Sequence, residues 1–176
     1  MIKNTYKRLL ITGTLLAGSA ICSNNVLAST TSTTFTVTAS VAAACTVAAS
    51  NLAFGNFTAT ADVLGTSTIT ATCTNGAAYN IGLSIGNGSG ATTSNRVMTA
   101  AVGSTSYLLN YNLYTDSARS VIWAPATSST VVTGTNGGTG TGAAQTYTVY
   151  GKLPLSGNTT AYIGSYTDTI AVTVYF

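Results

Sequence analysis

The stretch YTDTIAVTVYF, residues 166–176, alternates in side-chain character up to the last residue of the sequence. Alternation with a period of two residues predicts a half-buried β-strand. Its apolar face consists of Ile170, Val172, Val174 and Phe176. Because the sequence ends at Phe176, we expect this strand to have no following strand to pair with. Exposed apolar edges are usually protected by charges, but no charged residue follows Asp168. The pattern therefore predicts an unprotected edge that remains available for pairing with another strand.

A second alternating stretch, TTFTVTASV, lies at residues 33–41. Its apolar face consists of Phe35, Val37, Ala39 and Val41, and its polar face consists of Thr34, Thr36, Thr38 and Ser40. The period again predicts a half-buried strand. Domains usually carry a loose tail at such a terminal position, so the stretch raises the question of which sheet it belongs to.

Residues 1–28 have the features of a secretory signal peptide. A basic start with Lys3, Lys7 and Arg8 precedes a mostly apolar run, and a small-residue cleavage site ends at Ala28. This order of regions is typical of a signal peptide, and the apolar run is too short for a membrane span. A buried N-terminal helix is the alternative. We expect export and cleavage after Ala28.

Removal of residues 1–28 from the 176 leaves 148 residues, enough for one domain with a real core. The remaining charges cancel: Arg96, Arg119 and Lys152 against Asp62, Asp116 and Asp168. A net charge near zero favours association over dispersion. Without a basic surface, the sequence predicts neither nucleic-acid binding nor a polybasic membrane anchor. Disorder is the competing interpretation, but regular apolar strands argue against it.

Two cysteines, Cys45 and Cys73, remain after Cys22 leaves with the signal peptide. A single pair in a secreted chain predicts a disulfide. A zinc site is disfavoured, because two cysteines without any histidine cannot supply the usual ligand shell. We therefore expect no metal and no other cofactor.

Short alternating segments recur along the rest of the mature chain. Further strands are predicted at 52–57, which ends in a turn at Gly55, and at 66–73, 79–86, 109–116, 120–125 and 146–155. The Gly- and Thr-rich segment 133–142 is predicted to be a flexible loop. No amphipathic helix is predicted. The pattern favours an all-β antiparallel sandwich, with an N-terminal extension at 29–44 and the sandwich at 45–176.

Catalytic chemistry is largely excluded by the side chains present. The sequence has no His, and its mature part has no Glu, so Ser–His–Asp and Cys–His arrangements are impossible. A Ser–Lys pair through Lys152 stays open, although a solvated or partner-facing lysine is favoured. We expect Asp116 and Asp168 to cap turns rather than bind calcium, which needs more clustered oxygens. Trp123 is expected to pack in the core rather than bind a sugar. We predict no enzyme and no small-molecule substrate.

Several stretches together resemble the spore coat protein U domain family, which includes shaft subunits of archaic chaperone–usher pili. They are CTV at 45–47, LAFGNF at 52–57, STITATC at 67–73, YNIGLSIG at 79–86, NRVM at 95–98, LNYNLYTD at 109–116, YGKLP at 150–154 and GSYTDTIAVTVYF at 164–176. The resemblance covers essentially the whole mature chain. No single motif is decisive, but their order and spacing are specific.

The resemblance implies an incomplete immunoglobulin-like sandwich with an open hydrophobic groove. A periplasmic chaperone fills the groove first, and the N-terminal extension of the next subunit replaces it at an outer-membrane usher, a form of β-strand addition. Carried over by position, the donor residues are Phe35, Val37, Ala39 and Val41, and the groove-edge strand contains Ile170, Val172, Val174 and Phe176. Cys45 and Cys73 match the disulfide of the family. The implied protein is a cell-surface pilus subunit, assembled from copies of itself or related pilins, that serves adhesion and biofilm formation.

Two other functions remain as alternatives. The first is a self-contained secreted coat or matrix sandwich, whose strand at 33–41 fills its own groove and which is therefore a stable monomer. The second is a carbohydrate-binding adhesin, although 148 residues leave no room for a separate binding domain.

Overall fold

Eight β-strands build the part of the chain that the computed structural model describes, residues 27–176. The predicted signal peptide therefore lies almost wholly outside the described residues. In chain order the strands are β1 (Cys45–Ala49), β2 (Val63–Cys73), β3 (Ala78–Leu83), β4 (Arg96–Val102), β5 (Thr105–Tyr114), β6 (Asn136–Thr139), β7 (Ala144–Leu153) and β8 (Val172–Tyr175). No helix occurs within residues 27–176. The chain divides into two units, Met1–Ala39 and Ser40–Phe176, and all eight strands belong to the second.

The strands form two sheets with antiparallel pairing throughout. The larger sheet has the order β1-β2-β7-β5-β4, and the smaller sheet has the order β6-β3-β8. In the described residues β1 and β8 are therefore edge strands, each with one neighbour. β2 ends at Cys73 and β3 begins at Ala78, so a short turn carries the chain from one sheet to the other.

The hydrophobic core lies between the two sheets. In β2 the alternation predicted from sequence places Ile69, Ala71 and Cys73 inside and their threonine neighbours toward solvent. The fully or nearly buried core side chains are Ile69, Ala71, Cys73, Tyr79, Ile81, Leu83, Leu109, Tyr111, Leu113, Trp123, Val149 and Leu153. Trp123 donates its indole N–H to the carbonyl of Ile81 at 2.9 Å. Its predicted role as a packing aromatic is thus confirmed.

The smaller sheet is covered on its outer face by the segment around residues 124–126. A Cβ at Gly82 would collide with the backbone nitrogen of Ala126, so only glycine allows this close approach. The strand predicted at 120–125 is not formed. Only an isolated bridge joins Ile122 to Tyr114, so this prediction is wrong. This segment instead uses its backbone to cover β3, where the amide of Leu83 donates to the carbonyl of Ala124.

The structure also corrects the strand predicted at residues 52–57. Residues 52–57 form no strand, because the chain crosses the face of the larger sheet, where Leu52 and Phe54 pack over the paired glycines Gly65 and Gly151. Gly55 has a positive φ of 71°, but the chain forms no turn there, so that part of the prediction is also wrong.

The predicted loop at 133–142 contains strand β6. Gly137 lies against the backbone of Tyr79 so closely that any side chain would collide with its carbonyl. The glycines of this segment therefore permit strand pairing rather than flexibility. β4, which pairs with β5, has no counterpart among the predicted strands.

Candidate functional site: an open groove between β1 and β8

The apolar face of β8 is incompletely covered. Val172 lies opposite Leu83 and Val174 lies opposite Ile81 in the ladder with β3. Ile81 and Leu83 are 0% and 1% exposed, whereas Val172 and Val174 are only partly buried against the core. If another strand lay beyond β8, we would expect Val172 and Val174 to be as well covered as Leu83 and Ile81, because the four side chains share one face of the sheet. The drop in burial marks the start of a groove.

The backbone of β8 is also open along this edge. Ser84 donates its amide to the carbonyl of Ala171 at 3.0 Å, and in an antiparallel ladder hydrogen-bonded residues alternate along the strand. By this alternation Thr173 bonds to β3, while the amide and carbonyl groups of Val172 and Val174 point to the free edge. The two valines therefore offer both an apolar side chain and an unpaired backbone, which is what β-strand addition requires.

The opposite wall of the groove is β1. Val47 lies opposite Ala71 and Ala49 lies opposite Ile69. The two β2 residues are almost fully buried, whereas Val47 is 40% exposed and Ala49 is exposed. The same loss of burial therefore occurs at both edge strands. β1 and β8 approach each other in the fold, so the two incompletely covered faces lie next to each other, and the groove is the surface between them.

A cavity of about 930 Å³ lies between β4, β5 and β7 of the larger sheet and the connecting segments 52–59 and 161–166. Its apolar lining comes from Leu52, Phe54, Phe57, Met98, Leu109, Leu153, Ala161 and Tyr166, together with exposed Tyr162 and Ile163. Phe54 meets the ring of Tyr111 edge-on, with the ring centroids 6.0 Å apart. The sequence motif LAFGNF thus supplies lining for this cavity rather than a strand.

The disulfide prediction is confirmed. Cys45 and Cys73 are bonded and lie opposite each other in the ladder between β1 and β2, with Cα atoms 4.1 Å apart. Cys73 is buried and Cys45 is partly buried against the core. The bond joins the start of β1 to the end of β2, its neighbour in the larger sheet.

The predicted groove-edge strand is longer than the observed one. Val172 and Val174 lie in β8, but Ile170 precedes it and Phe176 follows it. Ladder pairing ends early because the hydroxyl of Ser84 accepts the amide of Ala171 at 2.9 Å and so replaces a backbone partner. Ile170 is still partly buried against the core, whereas Phe176 is 56% exposed.

The predicted donor residues lie in a segment without strand structure. Residues 27–43 form no ladder, and Phe35, Val37 and Val41 are 80–88% exposed. Ala39 is exposed as well. The strand predicted at 33–41 is therefore absent from this chain, because these residues pair with no other strand of the described residues. Its role as a donor stays a prediction.

Asp168 anchors the segment that leads into β8. Its carboxylate accepts the amide of Asn87 at 2.7 Å, the amide of Thr169 at 2.7 Å and the hydroxyl of Tyr111 at 2.6 Å. The bond to Thr169 agrees with the predicted turn capping, but the other two join separate parts of the fold. Burial raises the pKa of Tyr111, and its hydrogen bond to Asp168 raises that pKa further. The sequence gives no pattern for these long-range contacts.

Arg96, which sequence reasoning left without a role, is a fully buried cation. Its guanidinium donates to the carbonyls of Ser84 at 2.9 Å, Leu83 at 3.2 Å and Trp123 at 2.6 Å, and to the side-chain oxygen of Asn112 at 2.6 Å. Desolvation lowers the pKa of Arg96. The arginine fixes the end of β3, the strand against which β8 is paired.

The remaining charged side chains serve local structure. Lys152 pairs with Asp62 at 2.7 Å on the solvent side of the larger sheet, which agrees with the favoured interpretation of a solvated lysine. The carboxylate of Asp116 accepts the amides of Ser120 and Val121, as expected for a turn cap. Within residues 27–176 no three His, Cys, Asp or Glu side chains cluster as metal ligands would. The same range holds no helix long and apolar enough for a membrane span.

Comparison with solved structures identifies a similar fold. The chain is similar to a chain of the CsuC–CsuE chaperone–tip adhesion subunit pre-assembly complex from the archaic chaperone–usher Csu pili of Acinetobacter baumannii. The TM-score is 0.51 at 21% sequence identity, and the match covers 77% of this chain but only 40% of that chain. At this identity the likeness concerns the fold alone. Together with the two antiparallel sheets, it confirms the predicted all-β, immunoglobulin-like sandwich.

Sequence comparison gives a direct family match. No curated protein matches the chain. The model of the Spore Coat Protein U domain matches residues 31–173, which is most of the sequence and nearly all of its predicted mature part. The resemblance found from the motifs is therefore confirmed, and the protein belongs to the Spore Coat Protein U domain family.

Proposed function

We propose that this protein is a structural subunit of an archaic chaperone–usher pilus and that it polymerises by donor-strand complementation. The observation that carries the proposal is the groove between β1 and β8. Val47, Val172 and Val174 are only partly covered there, although their neighbours in the ladders are almost fully buried. Family membership and the pilus-protein fold support the general role as a pilus subunit.

The donor is the strand at residues 33–41 of a neighbouring subunit. Its four alternate apolar side chains match the spacing of the inward-facing residues of β8, because both follow the period of an extended strand. Insertion beside Val172 and Val174 pairs the free backbone groups of β8 and covers both valines. Each fully buried Val or Phe side chain contributes about 1.5–3 kcal/mol.

Before assembly the same groove needs another occupant. A periplasmic chaperone that pairs with β8 supplies it, and an outer-membrane usher then exchanges the chaperone for the next subunit. This scheme requires export of the chain and its display at the cell surface. There we assign the fibre a role in adhesion and biofilm formation. The solved structure with the similar fold is a complex of a chaperone with a tip adhesion subunit before assembly, and it supports the chaperone step by analogy.

The direct test is deletion of residues 29–41 in cells that express the chaperone and usher. We expect the deletion variant to co-purify with the chaperone, because the groove is intact, but to form no fibres by electron microscopy. Surface adherence and biofilm mass of the same cells test the wider role. Normal fibres from the deletion variant would show that this strand is not the donor.

The alternative is a self-complemented coat or matrix protein, in which residues 33–41 fill the groove of their own subunit. The two proteins would differ in their oligomeric state in solution and in their capture of a donor peptide. Size-exclusion chromatography of the mature protein would give a stable monomer that takes up no added donor peptide, whereas a pilus subunit captures the peptide or a second copy.

A further inference from the structure

We propose that Ala44 determines which groove the strand at 33–41 fills, by keeping that strand out of the groove of its own subunit. The acceptor is thereby a second copy of this chain. This inference rests on the proposed function and adds to it the residue that selects the intermolecular route.

Ala44 is held in place by β2. Its amide donates to the hydroxyl of Thr74 at 3.1 Å, and the amide of Thr74 donates to its carbonyl at 2.9 Å. These bonds extend the ladder of Cys45 with Cys73 by one residue. Only Ala42 and Ala43 therefore remain free between Val41 and the fixed start of the sandwich.

For residues 33–41 to fill the groove of their own subunit, the chain would have to reverse direction just before β1. The segment would have to fold back antiparallel along the free edge of β1, on the side away from β2. Such a reversal is a β-hairpin, whose loop length fixes both the backbone conformation of the loop and the side-chain register.

A two-residue reversal at Ala42 and Ala43 turns the donor side chains the wrong way. It would place Val41 opposite Ala44, and opposite residues in an antiparallel pair share one face. Cys45 and Val47 face the core side of β1, so Ala44 faces outward. The apolar side chains of the strand would then point to solvent and its threonines into the groove.

The chain shows how it builds such a tight reversal elsewhere. β4 and β5 are joined by a two-residue loop, since Val102 pairs with Thr105, and the first loop residue is Gly103 with φ of 63°. In the described residues the only non-glycine residues with positive φ are Ala59 and Arg119. None of Ala42, Ala43 and Ala44 is left-handed in the structure, and the left-handed conformation that tight hairpins require is sterically unfavourable for alanine.

A three-residue reversal would restore the correct face but conflicts with Ala44. It would place Val41 opposite Cys45, with the apolar side chains inward. The usual three-residue loop is a type I turn followed by a left-handed residue, and that residue would be Ala44. Alanine disfavours this conformation sterically, and adopting it would break the ladder contacts of Ala44 with Thr74. A longer reversal from Ser40 takes Val41 out of the strand and so removes one donor residue.

The groove of a second copy imposes none of these conditions. The chain can continue straight from Ala44 in an extended conformation, and the register in the neighbour is free to place all four apolar side chains inward. The run of three alanines thus favours polymer formation over self-filling.

The test compares two variants of the mature chain that differ only at position 44. The first, Ala42→Pro, Ala43→Asp, Ala44→Gly, introduces the sequence of a type I turn with a left-handed glycine. The control, Ala42→Pro, Ala43→Asp, keeps Ala44. Each protein is refolded with its disulfide, mixed with a fluorescent peptide of residues 29–43, and analysed by chromatography and hydrogen exchange of residues 33–41.

We expect the glycine variant to be a monomer with protected residues 33–41 that captures at least tenfold less peptide than wild type. The control should behave like wild type. The inference is overturned if the glycine variant captures peptide as wild type does, if the control also becomes self-filled, or if wild type is already a monomer with a protected strand.

A third variant separates this inference from the proposed function. Val37→Arg in the full mature chain cannot fill any groove with its own strand, so its groove should capture the peptide. If it does, the groove is an acceptor and the other results report on Ala44. If Val37→Arg captures no peptide, the proposed function fails, and the inference fails with it.

Discussion

Val174 lies directly opposite Ile81 in the ladder between β8 and β3, yet Ile81 is fully buried and Val174 is only partly buried. Two apolar residues at one level of one sheet differ because nothing in the described chain covers the outer side of β8. Val174 thus contributes to the core, and in the proposed function it also offers an edge to an incoming strand.

A Val174→Asp substitution should prevent folding and chaperone capture. The carboxylate would be placed against the buried core without a partner, and burial of an unpaired charge is strongly unfavourable. Co-purification with the chaperone is the measurement. The matched control is Thr173→Asp, since Thr173 is exposed on the opposite face of β8. Normal capture of Val174→Asp would contradict the assigned groove.

The disulfide should be important for the stability of the groove wall. Replacement of both cysteines, Cys45→Ser with Cys73→Ser, removes the bond between β1 and β2 and should lower the free energy of unfolding by roughly 2–5 kcal/mol. Urea unfolding followed by tyrosine and tryptophan fluorescence measures the loss. Two free thiols in the intact secreted protein, found by mass spectrometry, would show that the bond is not formed in the cell.

Removal of the fully buried guanidinium of Arg96 should lower stability more than removal of a partly buried one. Arg96→Met leaves the carbonyls of Leu83, Ser84 and Trp123 without their donor, and we expect a loss on the order of 3 kcal/mol, since each unsatisfied buried group costs about 1–3 kcal/mol. Arg119→Met is the control, because Arg119 is only partly buried and lies over the ring of Tyr150. Similar unfolding midpoints for the two variants would argue against a special role of Arg96.

Stability at alkaline pH should depend on Tyr111. Burial and the hydrogen bond to Asp168 raise the pKa of Tyr111 above its ordinary value of 10.0. Above that pH the unfolded chain loses a proton that the folded protein keeps, so the free energy of unfolding falls as pH rises. Below that pH, the stabilisation that the raised pKa of Tyr111 contributes is fully present. Tyr111→Phe should reduce this alkaline decline, as seen in thermal unfolding from pH 8 to pH 11. An unchanged decline would assign the effect to other groups, such as Tyr147, whose pKa burial also raises.

Strong alternation made much of the fold predictable. The periodic segments at 66–73, 79–86, 109–116 and 146–155 all contain observed strands, because their inward side chains are decided by local sequence. Prediction failed where a strand depends on its neighbour. Residues 52–57 have strand-like composition but cross a sheet face, whereas the glycines of β6 look like a loop but fit closely against Tyr79.

The candidate site was predictable only in part. Val172 and Val174 follow from the alternation near the end of the sequence, and the disulfide follows from the cysteine count. Val47 and Asp168 could not be assigned, since the wall of the groove and the anchor of β8 depend on which strands become neighbours. Contacts such as that of Asp168 with Asn87 join residues far apart in sequence, and no local pattern specifies them.

The register of the donor strand gives the sharpest test of the pilus function. Val37→Arg removes one inserted side chain, worth about 1.5–3 kcal/mol, and adds a charge without a partner in the groove. Thr36→Arg places the same charge on the neighbouring residue, which faces the other side of the strand. We expect both variants to bind the chaperone, because their own grooves are unchanged, but only Thr36→Arg to form fibres visible by electron microscopy. If Val37→Arg forms fibres and Thr36→Arg does not, the strand inserts with its threonine face inward and the assigned register is wrong. Loss of fibres in both variants would show that neither face tolerates a charge, and the alternation would then not identify the inserted side chains.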